Sequence, residues 1–195
     1  MKKYLFVLFM FISIASEVHA TDVCHESEQY NQGVCLLENG EINKAFTILS
    51  NAAKEGHNGA QLVLSDMYSE GKGTKKNIEK AIFFAKKAYL SDARGAAKRI
   101  AFLYKKKNDL LQYLGWLTIA ANNADAWSMV LLGDFYNKDF KEGNYHISQF
   151  WYDKAIKISL LETTIDKLHP TMISDVEKKQ EILQKRKESF FEKIE

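Results

Sequence analysis

Two short residue patterns alternate along this chain and return every 32 to 36 residues, which restricts the fold more than any other feature of the sequence. The first reads small or aromatic residue, a run of aromatics and aliphatics, then alanine seven positions on. It occurs at 45–52, 81–88, 113–120 and 148–155, and its closing alanines, Ala52, Ala88, Ala120 and Ala155, lie 36, 32 and 35 residues apart. The second runs from a small residue to a tyrosine eight positions later, at 60–68, 96–104 and 128–136. Its tyrosines Tyr68, Tyr104 and Tyr136 keep the 36- and 32-residue intervals. A period of this length marks a stack of supersecondary units, each too small to bury its own apolar face.

The residue types say which unit. Apolar positions follow a helical period, strand-like alternation is missing, and Pro170 is the only proline. Alanines at 52, 60, 88, 96 and 120 allow two antiparallel helices to approach closely, and the aromatics fill the space between one pair and the next. The pattern predicts helix pairs at 28–37 with 41–54, 58–70 with 77–90, 93–106 with 109–122, and 124–137 with 146–159. Asn77 and Asn108 are the expected N-caps, and Gly40, Gly56 and Gly71 stand where C-caps are expected. After Ser159 the repeat is lost. His169-Pro170 interrupts the chain, and a polar helix from about Met172 to Lys193 follows, with Ile173, Val176, Leu183, Phe190 and Ile194 at helical spacing. A terminal cap with one polar face is the plain reading. The sharper one is a projecting helix that docks on a partner or a second copy through Phe190 and Phe191.

The segment from Gly59-Ala60-Gln61 through Leu64, Tyr68, Gly71-Lys72-Gly73 and Asn77 to Lys80-Ala81 resembles the Sel-1-like repeat, a branch of the tetratricopeptide-like helical repeats. The resemblance extends over about residues 40 to 157. It departs from the family pattern after Tyr104, where 105–108 lacks Gly-x-Gly and is about four residues shorter, and after Tyr136, where only Gly143 is kept. The resemblance implies an all-α fold, a short right-handed α-solenoid of about four antiparallel helix pairs plus a C-terminal capping helix. It also implies a protein that holds other proteins together, since exported members act as adaptors, regulators or host-contact factors.

The N-terminus predicts export. Lys2 and Lys3 precede an apolar run from Tyr4 to Ile14, and Val18-His19-Ala20 carries the small residues a signal peptidase reads. The run is about half the length that a membrane-spanning helix needs, so cleavage after Ala20 and no membrane insertion thereafter are expected. The organisation expected is thus a signal peptide at 1–20, an N-terminal segment and first helix at 21–40, repeats at 41–159, and a linker with the capping helix at 160–195. In the periplasm or outside the cell, the only two cysteines, Cys24 and Cys35, are expected to form one disulfide. Eleven residues of straight helix would hold them roughly 16 Å apart, so the segment around Cys24 must fold back along the first helix.

No constellation of residues points to catalysis. The histidines lie in separate turns, with no His-x-x-x-His pair for a metal, and no serine stands in a nucleophile motif. Gly71-Lys72-Gly73 lacks the spacing of a phosphate loop. The net charge of +2 falls to +1 without Lys2, Lys3 and Glu17, too balanced for a nucleic-acid binder. The expectation is a non-catalytic scaffold with no cofactor, binding an unidentified protein. The aromatics of the second helices cannot all face inward, so some line a groove. Tyr113, Trp127 and Tyr152 are the chosen anchors, large and amphipathic. The alternatives are a hydrolase of cell-wall or small-molecule substrates, and an element that self-assembles through its last helix.

Overall fold

The computed structural model describes residues 28–138, 142–161 and 168–192, all of them helix or turn. The described helices are α1 (Gln29–Glu38), α2 (Ile42–Lys54), α3 (Asn58–Glu70), α4 (Ile78–Leu90), α5 (Ala96–Lys106), α6 (Leu110–Asn122), α7 (Ala126–Lys138), α8 (Glu142–Ser159) and α9 (Pro170–Phe191). Successive helices pair as α1/α2, α3/α4, α5/α6 and α7/α8, and α9 packs on α8. This is the all-α repeat fold that the period requires. Cys24, the signal-like segment and Ile194 lie outside the described residues.

The chain divides after Ser91 into two compact units. In the first, Leu36, Leu49, Leu64 and Met67 form the core with the alanines Ala45, Ala52, Ala53 and Ala60. Beside it Phe46 meets Tyr68 edge to face and Tyr68 stacks on Phe84, with ring centroids 5.5 and 5.6 Å apart. In the second, Leu117, Met129, Leu132, Tyr152 and Leu183 are almost wholly buried with Ala101, Ala121, Ala126 and Ala155.

Small residues set the spacing within a pair. A Cβ on Gly33 of α1 would stand 2.5 Å from Leu49 Cγ of α2, and one on Gly133 of α7 would stand 2.4 Å from Tyr152 Cε1 of α8. Glycine costs helix stability, and here it is what lets a large buried side chain lie directly against the opposite backbone.

The turns follow the repeat as well. Gly56 ends α2 at φ 99°, with the Gly56 amide donating to Ala53 O and the His57 amide to Ala52 O. Ala124 closes α6 with the same two bonds, from Ala124 to Ala121 O and from Asp125 to Ala120 O, at φ 64°. Gly40 and Gly71 are left-handed as expected, at φ 79° and 80°. Asn77 caps α4 by accepting from the Lys80 amide at 2.9 Å. Asn108 does not cap α6. It takes the left-handed turn at φ 58° that glycine fills elsewhere, and Asp109 is the cap, accepting from the Gln112 amide at 3.1 Å. Asn tolerates that backbone because its side chain is short and polar.

Several boundaries differ from the expected ones, α5 beginning at Ala96 rather than 93 and α7 at Ala126 rather than 124. α8 begins one turn early, at Glu142 rather than His146, because Tyr145 is buried and its hydroxyl donates to Gln184 Oε1 of α9 at 2.6 Å. Pro170 begins α9 rather than interrupting it. At the first helical position its missing N–H is no loss, and His169 caps the helix.

α9 lies on the second unit as a cap. Met172, Val176, Lys179, Leu183 and Arg186 form one stripe at helical spacing. Val176 and Leu183 are buried, whereas Lys179 reaches Asp134 and Arg186 donates to Asn137 O and Oδ1 at 2.9 and 2.7 Å. The expected apolar stripe is therefore half polar, and Phe190 is 36% exposed.

Two substitutions test these contacts. Gly133→Ala should cost about 1–3 kcal/mol by overpacking in urea unfolding. Ala124→Gly should raise stability by about 0.5–1 kcal/mol, the relief of a left-handed alanine exceeding the entropy that glycine adds to the unfolded chain.

Candidate functional site

The second unit contains an open groove of about 420 Å³ lined by Lys105, Asn108, Leu110, Tyr113, Leu131, Asp134, Phe135 and Lys138. α5 and its turn supply Lys105 and Asn108, α6 supplies Leu110 and Tyr113, and α7 supplies the rest. The α7 residues recur at 131, 134, 135 and 138, one face of a helix. Trp127, 38% exposed, extends that face by one turn toward the helix start.

The groove exists because the repeat departs from its pattern here. Position 113 is aligned with Ala45, Ala81 and Ser148, each fully buried. The tyrosine here is buried too, at 7% exposed, but its larger side chain also reaches the groove lining. Its ring lies 6.4 Å from Phe102, centroid to centroid, and the Lys105 ammonium rests 5.5 Å from its centre. The short turn at 107–109 leaves Leu110 at the surface, 55% exposed.

Beneath the groove lies a polar network. The buried Tyr152 hydroxyl donates to Asp134 Oδ1 at 2.7 Å, and the Lys179 ammonium donates to Asp134 Oδ1 and Oδ2 at 2.7 and 2.8 Å. Asp134 thus joins α7, α8 and α9 at one carboxylate. Ser148 Oγ donates to Gly133 O at 2.9 Å on the same side. Burial, reinforced by the hydrogen bond and charge of Asp134, pushes the Tyr152 hydroxyl far above the usual phenol range. Burial raises Tyr113 too, with a smaller contribution from Asp134. Both stay neutral donors at physiological pH.

The structure treats the expected anchors unequally. Tyr113 lines the groove and Trp127 stands at its edge. Tyr152 is a correction: it is wholly buried, and its hydroxyl is committed to Asp134, so it supports the groove floor and offers no surface to a partner. Phe190 sits near the end of α9. The Phe191 side chain and Cys24 lie outside the described residues, and Cys35 is on α1, half-buried. Lys138, Leu131 and Phe135 carry no mark in the sequence, and Asp134 and the lysine run at 105–107 read there only as ordinary surface charge. The available signal was the tyrosine at a position where the other repeats keep a small residue. Among the described residues, no group of three or more His, Cys, Asp or Glu side chains converges to hold a metal. No described helix is long and apolar enough to cross a membrane.

The family model of the Sel1 repeat matches residues 59–92 and 128–158. These two segments match the Sel1 repeat. The pair between the two matched segments, α5/α6, is the one whose loop and position 113 depart from the pattern. The crystal structure of a Sel1 repeat protein from Oxalobacter formigenes shares the fold, with a TM-score of 0.57 and 21% identity over 71% of this chain and 67% of that one. No curated protein matches the chain at a significant level. Sel1 repeats are generally protein–protein interaction modules, typically non-catalytic.

The raised tyrosines make stability depend on pH with a definite sign. A folded-state pKa above the unfolded one contributes stability that is complete below the unfolded value, about 10, and is lost as pH rises toward the folded value. Above about pH 10, Tyr152 should remove stability with a limiting slope of about 1.4 kcal/mol per pH unit, and Tyr113 should act in the same direction. Urea unfolding followed from pH 8 to 11 should show a shallower decline for Tyr152→Phe than for the parent.

Proposed function

We propose that this protein is an exported scaffold that binds another protein in the bacterial envelope or outside the cell, without catalysis of its own. The observation that carries the reading is an open, apolar groove with a cationic rim on a chain whose segments 59–92 and 128–158 match the Sel1 repeat. Its polar floor supports rigidity rather than chemistry: Asp134 is held by Lys179 and Tyr152, and Tyr152 is sealed from solvent. Such a groove gives a partner an apolar anchor site on a rigid helical frame, the arrangement in which a few buried side chains supply most of the binding energy.

Export is supported by the basic, apolar and small-residue succession of the first twenty residues. In an oxidising compartment Cys24 and Cys35 would close a short loop onto α1, which Gly33 and Leu36 hold in the first core.

Expression in a bacterial host with a mass determination on the envelope fraction tests export. A mature chain beginning at Thr21 supports it, and an intact Met1 in the cytosol sinks it. If the disulfide forms, Cys24→Ser should lower stability by about 2–3 kcal/mol under oxidising conditions and change nothing in reductant. For binding, cross-linking in the native cell with the tagged chain should trap one recurrent protein, and Leu110→Ala with Trp127→Ala should lose it while keeping the parent's circular dichroism. No recurrent partner would overturn the scaffold reading.

A further inference from the structure

The groove's charge and lining specify its occupant more narrowly. Its walls are apolar, from Leu110, the Tyr113 ring, Leu131 and Phe135, while Lys105 and Lys138 stand exposed at its rim. The one carboxylate in the lining, Asp134, is already balanced by Lys179 at 2.7 Å and by the Tyr152 hydroxyl. It therefore does not neutralise the rim. Lys105 contacts only the rings of Phe102 and Tyr113, and neither it nor Lys138 meets a carboxylate among the described residues. The two ammonium groups come from different helices, α5 and α7. The Tyr113 hydroxyl has no hydrogen-bond partner among the described residues and is a neutral donor in the groove wall.

We propose that this groove takes an internal segment of a partner protein in which a large apolar side chain is flanked on both sides by Asp or Glu. The volume lies in the range of about 300–1,000 Å³ of small-ligand pockets, room for one large side chain and its immediate neighbours. The apolar residue supplies affinity by desolvation. The carboxylates pair with Lys105 and Lys138 at the rim, where such pairs add little energy but steer association and reject basic segments. This occupant rests on the scaffold reading above and makes it specific.

The test uses the purified chain and labelled nonapeptides, acetylated and amidated, each with a central phenylalanine. One has two aspartates on either side and the other has two lysines there. Fluorescence anisotropy should show saturable binding of the acidic peptide, at least about tenfold tighter than the basic one, and weakening as salt shortens the screening length below about 8 Å. Replacing the central phenylalanine by alanine should abolish binding. Lys105→Glu with Lys138→Glu, both exposed and expected to leave circular dichroism unchanged, should invert the preference toward the basic peptide.

Equal affinity for the two peptides, or an acidic preference that survives the double charge reversal, would overturn the proposal. So would tighter binding of a peptide ending in a free phenylalanine carboxylate, which would make the occupant a chain terminus. If the cross-linked partner is retained by the charge-reversed chain, the scaffold reading stands and this occupant is wrong. If no partner is trapped but the acidic peptide binds with the inversion described, the groove chemistry stands and the scaffold reading fails.

Discussion

The approach of two helices within a pair is limited by the side chains at their crossing, and in this chain a small residue on the first helix of each pair sets it. Gly33 admits Leu49 and Gly133 admits Tyr152, with a Cβ at either glycine falling under 3 Å from the facing side chain. The repeat register places Ser65 and Ala101 at positions matching those glycines, and Ala85 and Leu117 at positions matching the large residues. The facing residue is large in three pairs and is Ala85 in the pair α3/α4, while its partner stays small throughout. That constancy lets units of differing composition keep one geometry, since helix separations of about 8–10 Å depend on the side chains at the contact.

The last pair uses this geometry for more than packing. With Gly133 leaving room for its ring, Tyr152 passes beneath α7 and delivers its hydroxyl to Asp134, whose other oxygen binds Lys179 of α9. A leucine at 152 would fill the space but leave the carboxylate without that donor. The capping helix is therefore held by two kinds of contact on one stripe. Val176 and Leu183 are buried, and Lys179, Gln180 and Arg186 bind polar groups of α7 and α8. A helix that ends a repeat array must offer water its outer face, and α9 also carries polar residues on part of its inner stripe, where Asp134 and Asn137 meet them.

Binding surface arises where the repetition fails. Regular units bury the small residue at the start of the second helix, as Ala45, Ala81 and Ser148 show. Tyr113 at that position is also buried, at 7% exposed, yet its larger side chain forms part of the groove lining, and Leu110 beside it lies in solvent. The departure from the pattern coincides with a concave, apolar, positively rimmed surface in the second unit.

The fold was legible in the sequence because its determinants are local and recur. Helical period, alanine spacing and glycine turns can each be read within a few residues, and their return at 32–36 residues identifies stacked pairs without knowledge of any contact. Where local chemistry was ambiguous, the reading slipped by a residue or a turn. Asn108 suits a left-handed turn as well as a cap, and Pro170 suits a helix start as well as a break. The groove was legible only in part. Tyr113 and Trp127 are conspicuous as aromatics, but Tyr152 looks the same on paper, and whether an aromatic faces solvent or a glycine depends on a helix nineteen residues earlier. Asp134 and Lys105 read locally only as ordinary surface charge, and Lys138 carried no local mark at all. Their roles come from charge balance among side chains on separate helices, with Lys179 cancelling Asp134 from 45 residues away and Lys105 and Lys138 meeting no carboxylate among the described residues. Periodicity prescribes which faces are apolar. Packing alone settles which polar groups satisfy one another, because that pairing depends on distances between segments that the linear order does not encode.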